Sequence, residues 1–93
     1  MKAYDKRFLT NSPEEFGSVG WSVKTNPEDY YKIQAELRIT DCYEKITLDF
    51  NCEEEKHIDK RIQKLDNLIE SLNLMRDSLV EAKSETFTNK RGY

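Results

Sequence analysis

From Asn51 to about Glu85 the chain runs without a Gly or a Pro, and its apolar residues recur at intervals of three and four. Ile58, Ile62, Leu65, Leu68, Ile69, Leu72, Met75, Leu79 and Ala82 form that stripe, the 3.6-residue period of an amphipathic helix. Asn51 is placed to cap the first turn through its side-chain oxygen, with Glu54 three residues on to complete a capping box. Glu53, Glu54 and Glu55 put negative charge at the positive end of the helix dipole. One long helix over 51–86 is the expected organising element.

Upstream the period changes to two. Val19, Trp21 and Val23 alternate with Ser18, Gly20, Ser22 and Lys24, which predicts a strand from Ser18 to Thr25. Asn26-Pro27-Glu28-Asp29 is turn chemistry. From Tyr30 to Thr40 the residues Tyr31, Ile33, Ala35, Leu37 and Ile39 face one way, against Lys32, Gln34, Glu36, Arg38 and Thr40. Asp41 and Cys42 begin a tight connection. Ile46, Leu48 and Phe50, opposed by Lys45, Thr47 and Asp49, then form another strand. The connections are too short for parallel crossovers, so the neighbours are expected to be antiparallel.

The ends of the chain are less patterned. Tyr4, Phe8 and Leu9 fit a short strand or a helical turn. Ser12-Pro13-Glu14-Glu15-Phe16 reads as a short helical turn closed by Gly17. The expectation is one α+β domain over 1–93: an N-terminal segment 1–17, an antiparallel β-meander 18–50, the helix 51–86 and a flexible tail 87–93. The sheet is three-stranded, or four-stranded if the N-terminal segment adds a strand. Its apolar face, built from residues such as Val19, Trp21, Leu37 and Leu48, is expected to pack on the helix stripe in two layers.

Composition narrows the function classes. Of the 93 residues 37% are hydrophobic and 35% charged, with a mean hydropathy of -0.87. No apolar run approaches the ~18 residues of a membrane span, and MKAYDKRFL lacks the apolar core of a signal peptide. A cytoplasmic protein that meets no membrane is expected. The net charge of -3 and a pI near 5.2 argue against direct nucleic-acid binding, which normally uses a basic excess. Cys42 and Cys52 stand at opposite ends of one predicted strand, about 33 Å apart when extended, against the ~7 Å limit of a disulfide. They should be free thiols. With His57 as the single histidine, no metal or cofactor site is expected and no two groups are placed to act together, so the chain reads as non-enzymatic. His57 reads as structural, Cys52 as a buried or half-buried thiol, and Trp21 as the core anchor of its strand. Tyr30, Lys32, Arg38, Tyr43 and Lys45 offer an outer sheet face with aromatics and cations, the pattern used for single-stranded nucleic acid, but Glu36 and Asp49 dilute it and the favoured reading is solvated decoration.

The helix carries two further signals. About 34 residues span roughly 50 Å of helix, whereas such a sheet extends about 30 Å. The distal stripe therefore overhangs, and Leu68, Leu72, Met75, Leu79 and Ala82 continue the 3-4 heptad spacing begun at Leu65. With Leu74 on the opposite side, these residues are the expected homodimer interface. Asp59, Asp66, Glu70, Asp77 and Glu81 fall within a band of roughly 60° on a helical wheel, a line of carboxylates about 33 Å long. Lys56, Lys60 and Lys64 form a separate basic row. Like charges at this spacing weaken a helix slightly, so the acidic row is either a solvated face or a partner-binding surface. In the second case it would imitate a phosphate backbone and fill a basic channel on a protein partner.

The order of elements, with strands first (GWSV, YYKIQAELRIT, EKITLDF) and one long acidic helix after (EEEKHIDKRIQKLDNLIESLNLMRDSLVEA), resembles small phage-encoded inhibitors of host defence, of the anti-CRISPR and anti-restriction type. The resemblance lies in composition and element order. It implies a viral protein-binding inhibitor of a host nuclease or effector complex, acting in the host cytoplasm.

Overall fold

A computed structural model of the chain describes residues 1–9, 17–26 and 28–88. It is α+β: a four-stranded antiparallel sheet precedes one long helix. Two compact units make it up, Met1–Ile62 and Gln63–Tyr93.

The first unit holds the sheet. Its strands are β1 (Lys2–Phe8), β2 (Ser18–Thr25), β3 (Ile33–Asp41) and β4 (Glu44–Asp49), in spatial order β1-β2-β3-β4. The alternation in the sequence gives β2 its observed ends, and the N-terminal segment supplies the fourth strand. The register then sorts the side chains, because residues directly opposite one another share a face. Asp5, Trp21, Leu37 and Leu48 form one row across the sheet; Arg7, Val19, Ile39 and Ile46 form the next. The apolar residues of β2, β3 and β4 thus share a face, as their pattern requires. On β1 that face carries Asp5 and Arg7, which pair with each other at 3.1 Å.

Strand β3 begins later than the alternation suggests. The Asn26 N–H donates to the Lys32 carbonyl at 2.8 Å, and the Asp29 N–H closes a turn onto the Asn26 carbonyl at 3.0 Å. This turn holds Tyr30, Tyr31 and Lys32 out of the ladder. Between β3 and β4 the pairing of Asp41 with Glu44 leaves a two-residue hairpin loop, Cys42-Tyr43. Cys42 occupies its first position at φ 57°, a left-handed conformation that a hairpin turn normally fills with Gly.

The expected cap at Asn51 is overturned. The antiparallel ladder continues beyond β4: Ile33 and Cys52 exchange backbone hydrogen bonds at 3.1 and 2.9 Å, and the Phe50 N–H donates to the Ala35 carbonyl. The Asn51 side-chain oxygen accepts from the Ala35 N–H at 2.8 Å, standing in for a ladder carbonyl. It therefore has no helix end to cap. A 3₁₀ turn over Glu55–His57 follows extended Glu54, which makes no side-chain cap. Helix α1 spans Ile58–Lys83, so the helix starts several residues after the predicted position 51. Arg61 secures this junction by donating through Nε to the Asn51 carbonyl at 2.8 Å.

Among the described residues only Phe50 (8% exposed) and Cys52 (1%) are buried hydrophobics. Trp21, expected as a core anchor, is 37% exposed. Cys42 and Cys52 are free thiols, one exposed and one buried. In the second unit α1 runs on to Lys83 and ends in a wider π turn, Ser84–Thr88, which takes in Phe87. The predicted helical turn at Ser12–Phe16 and the remainder of the tail lie outside the described residues.

Two substitutions test this local reading. Cys42→Gly relieves a left-handed residue and should raise unfolding stability by about 1 kcal/mol, measured by urea denaturation in reductant. Asn51→Ala orphans the Ala35 amide and should cost about 1–3 kcal/mol. Hydrogen exchange should then quicken at Ala35 while helix content stays unchanged; fraying confined to the helix would restore the capping role.

Candidate interaction surfaces

The helix presents the residues singled out in the sequence. None of α1 is buried. In the second unit Leu65, Ile69, Leu72, Met75 and Leu79 are 40%, 48%, 53%, 61% and 60% exposed, and Leu68 is half-buried. Their 3-4 spacing aligns them on one side of an unbroken helix. Leu74, 61% exposed, lies on another side, and Ala82 continues the stripe near the helix end. Asp66, Glu70, Asp77 and Glu81 are exposed on the side away from the stripe. Asp77 pairs with Arg76 at 3.6 Å. Asp59 belongs to the first turn of α1, in the first unit, and is exposed as well.

The sheet has a second face opposite its apolar one. The structure brings Arg38 and Lys45 onto it but disperses the other aromatic and cationic candidates. Tyr30 and Lys32 sit in the β2–β3 turn, Tyr30 edge-on to Tyr31 at 5.0 Å between ring centroids. Tyr43 is at the hairpin tip, 99% exposed. Residues that the sequence reading passed over join the face instead. The β1 register places Lys2, Tyr4, Lys6 and Phe8 there, opposite Lys24, Ser22, Gly20 and Ser18 of β2. Their alternation, Lys-x-Tyr-x-Lys-x-Phe, was visible in the sequence, but without an apolar partner face it did not identify a strand.

The strand-to-helix junction holds the remaining reactive groups. The Cys52 thiol donates to the Glu54 carbonyl at 2.9 Å. His57 is half-buried, and its Nδ1 is shielded from solvent without a hydrogen-bond partner among the described residues. An unpaired buried nitrogen subtracts stability, and an apolar replacement removes the penalty. His57→Leu should therefore leave urea stability unchanged or raise it by about 1 kcal/mol; a clear loss would show that the imidazole is satisfied. Among the described residues no group of three or more His, Cys, Asp or Glu side chains is arranged to hold a metal ion. No described helix is long and apolar enough to cross a membrane.

Comparison with protein-family models, characterised proteins and solved structures returns no match to this chain.

Proposed function

We propose that this chain is a non-enzymatic interaction protein that self-associates through the distal half of α1. What supports the reading is a continuous apolar stripe in which Leu65, Ile69, Leu72, Met75 and Leu79 remain 40–61% exposed on the helix. Such a stripe gains roughly 25 cal/mol for each Å² it removes from water. A second copy of the helix offers a complementary surface, because Leu65, Leu72 and Leu79 occupy one core position of a heptad and Leu68, Met75 and Ala82 the other. Arg61 would be the preceding core residue. Its bond to the Asn51 carbonyl commits it to the junction, so pairing starts at Leu65. The two-layer packing of stripe on sheet expected from the sequence is not borne out at this end: among the described residues no strand of the first unit closely approaches Ile58–Ile62, and Ile62 is 50% exposed.

Sedimentation equilibrium tests this reading directly. The wild-type chain should be dimeric at micromolar concentration, with a thermal midpoint that rises with concentration. Met75→Glu combined with Leu79→Glu should yield a monomer that keeps its sheet; a double variant that stayed dimeric would rule out the stripe.

The acidic row supports a second reading, in which a different protein is the partner. Asp66, Glu70, Asp77 and Glu81 lie apart from the stripe, so a dimer leaves them available to a basic groove on a nucleic-acid-handling enzyme, as expected of a phage-type inhibitor. Changing all four to Lys should abolish capture of such an enzyme from nuclease-treated bacterial lysate without altering the circular dichroism. Undiminished capture would dismiss the row.

A further inference from the structure

We propose that the polar face of the sheet binds single-stranded nucleic acid along β1 and β2, independently of the helix. The face carries five cations, Lys2, Lys6, Lys24, Arg38 and Lys45, on a chain whose net charge is -3. Its two carboxylates are engaged within the fold. Glu36 pairs with Arg38, and Asp49 accepts from the Asn51 N–H at 2.8 Å. Among the described residues the β1–β2 half carries no carboxylate on this side.

Cation and aromatic alternate strictly along β1. Lys2, Tyr4, Lys6 and Phe8 follow one another at every second residue, a pitch of about 7 Å. Tyr4 and Phe8 are 74% and 78% exposed. Stability of the fold gives no reason to leave two large rings in water on the polar side. Their cross-strand neighbours are Ser22 and Ser18, with Gly20 between them, and such small side chains leave ring faces uncovered. Arg38 lies close over Gly20: a Cβ there would meet the Arg38 Nη2 at 3.5 Å and the Lys6 Cβ at 3.7 Å, ordinary contact distances. The small residues of β2 thus form a floor bordered by rings and ammonium groups on β1 and by Arg38 on β3.

At one end of this floor lies a hollow of about 260 Å³ lined by Lys2, Ser22, Lys24, Gln34, Glu36 and Asn51. Lys2 and Lys24 face each other directly there. Like charges in that position weaken a sheet, and an anion between them reverses the penalty. A phosphate supplies that anion, and a base supplies the flat partner that no described ring gives Tyr4 or Phe8. A single strand offers both at once along the whole of β1, whereas duplex bases are already stacked on one another. The length of β1 suits roughly four nucleotides, the short end of the range for such sites. Gln34 and Ser22 add donors and acceptors without selecting a sequence.

Fluorescence anisotropy with labelled twelve-nucleotide oligothymidylate and oligouridylate, on the intact chain at low salt, tests the proposal. Saturable binding is expected, with log affinity falling against log salt at a slope of about -2 to -3 for three or four phosphate contacts. Tyr4→Ala and Phe8→Ala should each weaken binding about ten-fold or more, whereas Tyr4→Trp should preserve it. Both positions are exposed, so circular dichroism should be unchanged. Lys2→Ala with Lys24→Ala should lower both the affinity and the salt slope. Four results would overturn the proposal: no saturable binding, indifference to both aromatic substitutions, equal affinity for duplex of the same length, or tighter binding to vesicles rich in phosphatidylglycerol. The monomeric Met75→Glu, Leu79→Glu variant should bind like the wild type, which separates this site from self-association.

Discussion

The antiparallel ladder through β3 is the constraint on which the first unit depends. Strand β3 pairs with β2 on one side and β4 on the other, and the residues after β4 stay in the same register as far as Cys52. Because a strand repeats every two residues, one register fixes the face of every side chain in the sheet. Slipping it by a single residue would put Trp21, Leu37 and Leu48 among the lysines. The Asn51 side chain and the Ile33–Cys52 exchange extend this control to the residues that launch α1. The buried Phe50 and Cys52 lie in that same stretch, so the small core sits where the ladder hands over to the helix.

Sequence and structure agree wherever one periodic signal acts alone. Strand β2 has its predicted ends because Val19, Trp21 and Val23 alternate with small polar residues and face no competing local preference. Helix α1 was equally legible from its stripe. The differences arise where one residue can satisfy two motifs. Asn51 can cap a helix or complete a ladder, and spacing alone favoured the cap through Glu54. The ladder prevails because the Ala35 amide would otherwise be left unpaired. Strand β1 was ambiguous for another reason. Its positions on the apolar face hold Ala3, Asp5 and Arg7, so hydrophobic alternation is absent, and only pairing with β2 reveals which face Tyr4 and Phe8 occupy.

Net charge proved a poor guide to individual surfaces. Averaged over the chain, acidic residues exceed basic ones, which argues against nucleic-acid binding in general. Placed on the fold, the charges separate: the polar sheet face is rich in lysine, while carboxylates line the back of the distal helix. Screening acts over about 10 Å at ordinary ionic strength. A bound strand would therefore respond to the lysines within that distance more than to the average over the chain. On the proposals above, the acidic row and the basic face would act as separate electrostatic surfaces, each complementary to a different partner.

The exposed stripe also has a thermodynamic side. A chain of this size buries only about 60–65% of the surface its unfolded form exposes, and its stability margin is narrow. Helices owe most of their stability to packing of an apolar face rather than to intrinsic propensity. With Leu72, Met75 and Leu79 more than half exposed, the distal part of α1 depends chiefly on propensity and local side-chain pairs. Association would supply the missing packing and would couple folding of that segment to protein concentration. The sheet has its own ladder and its own small core, and it does not need the stripe to define its faces. If the helix pairs two chains as proposed, the sheet can still carry a ligand-binding surface, and pairing would present two such faces and raise avidity without changing either site.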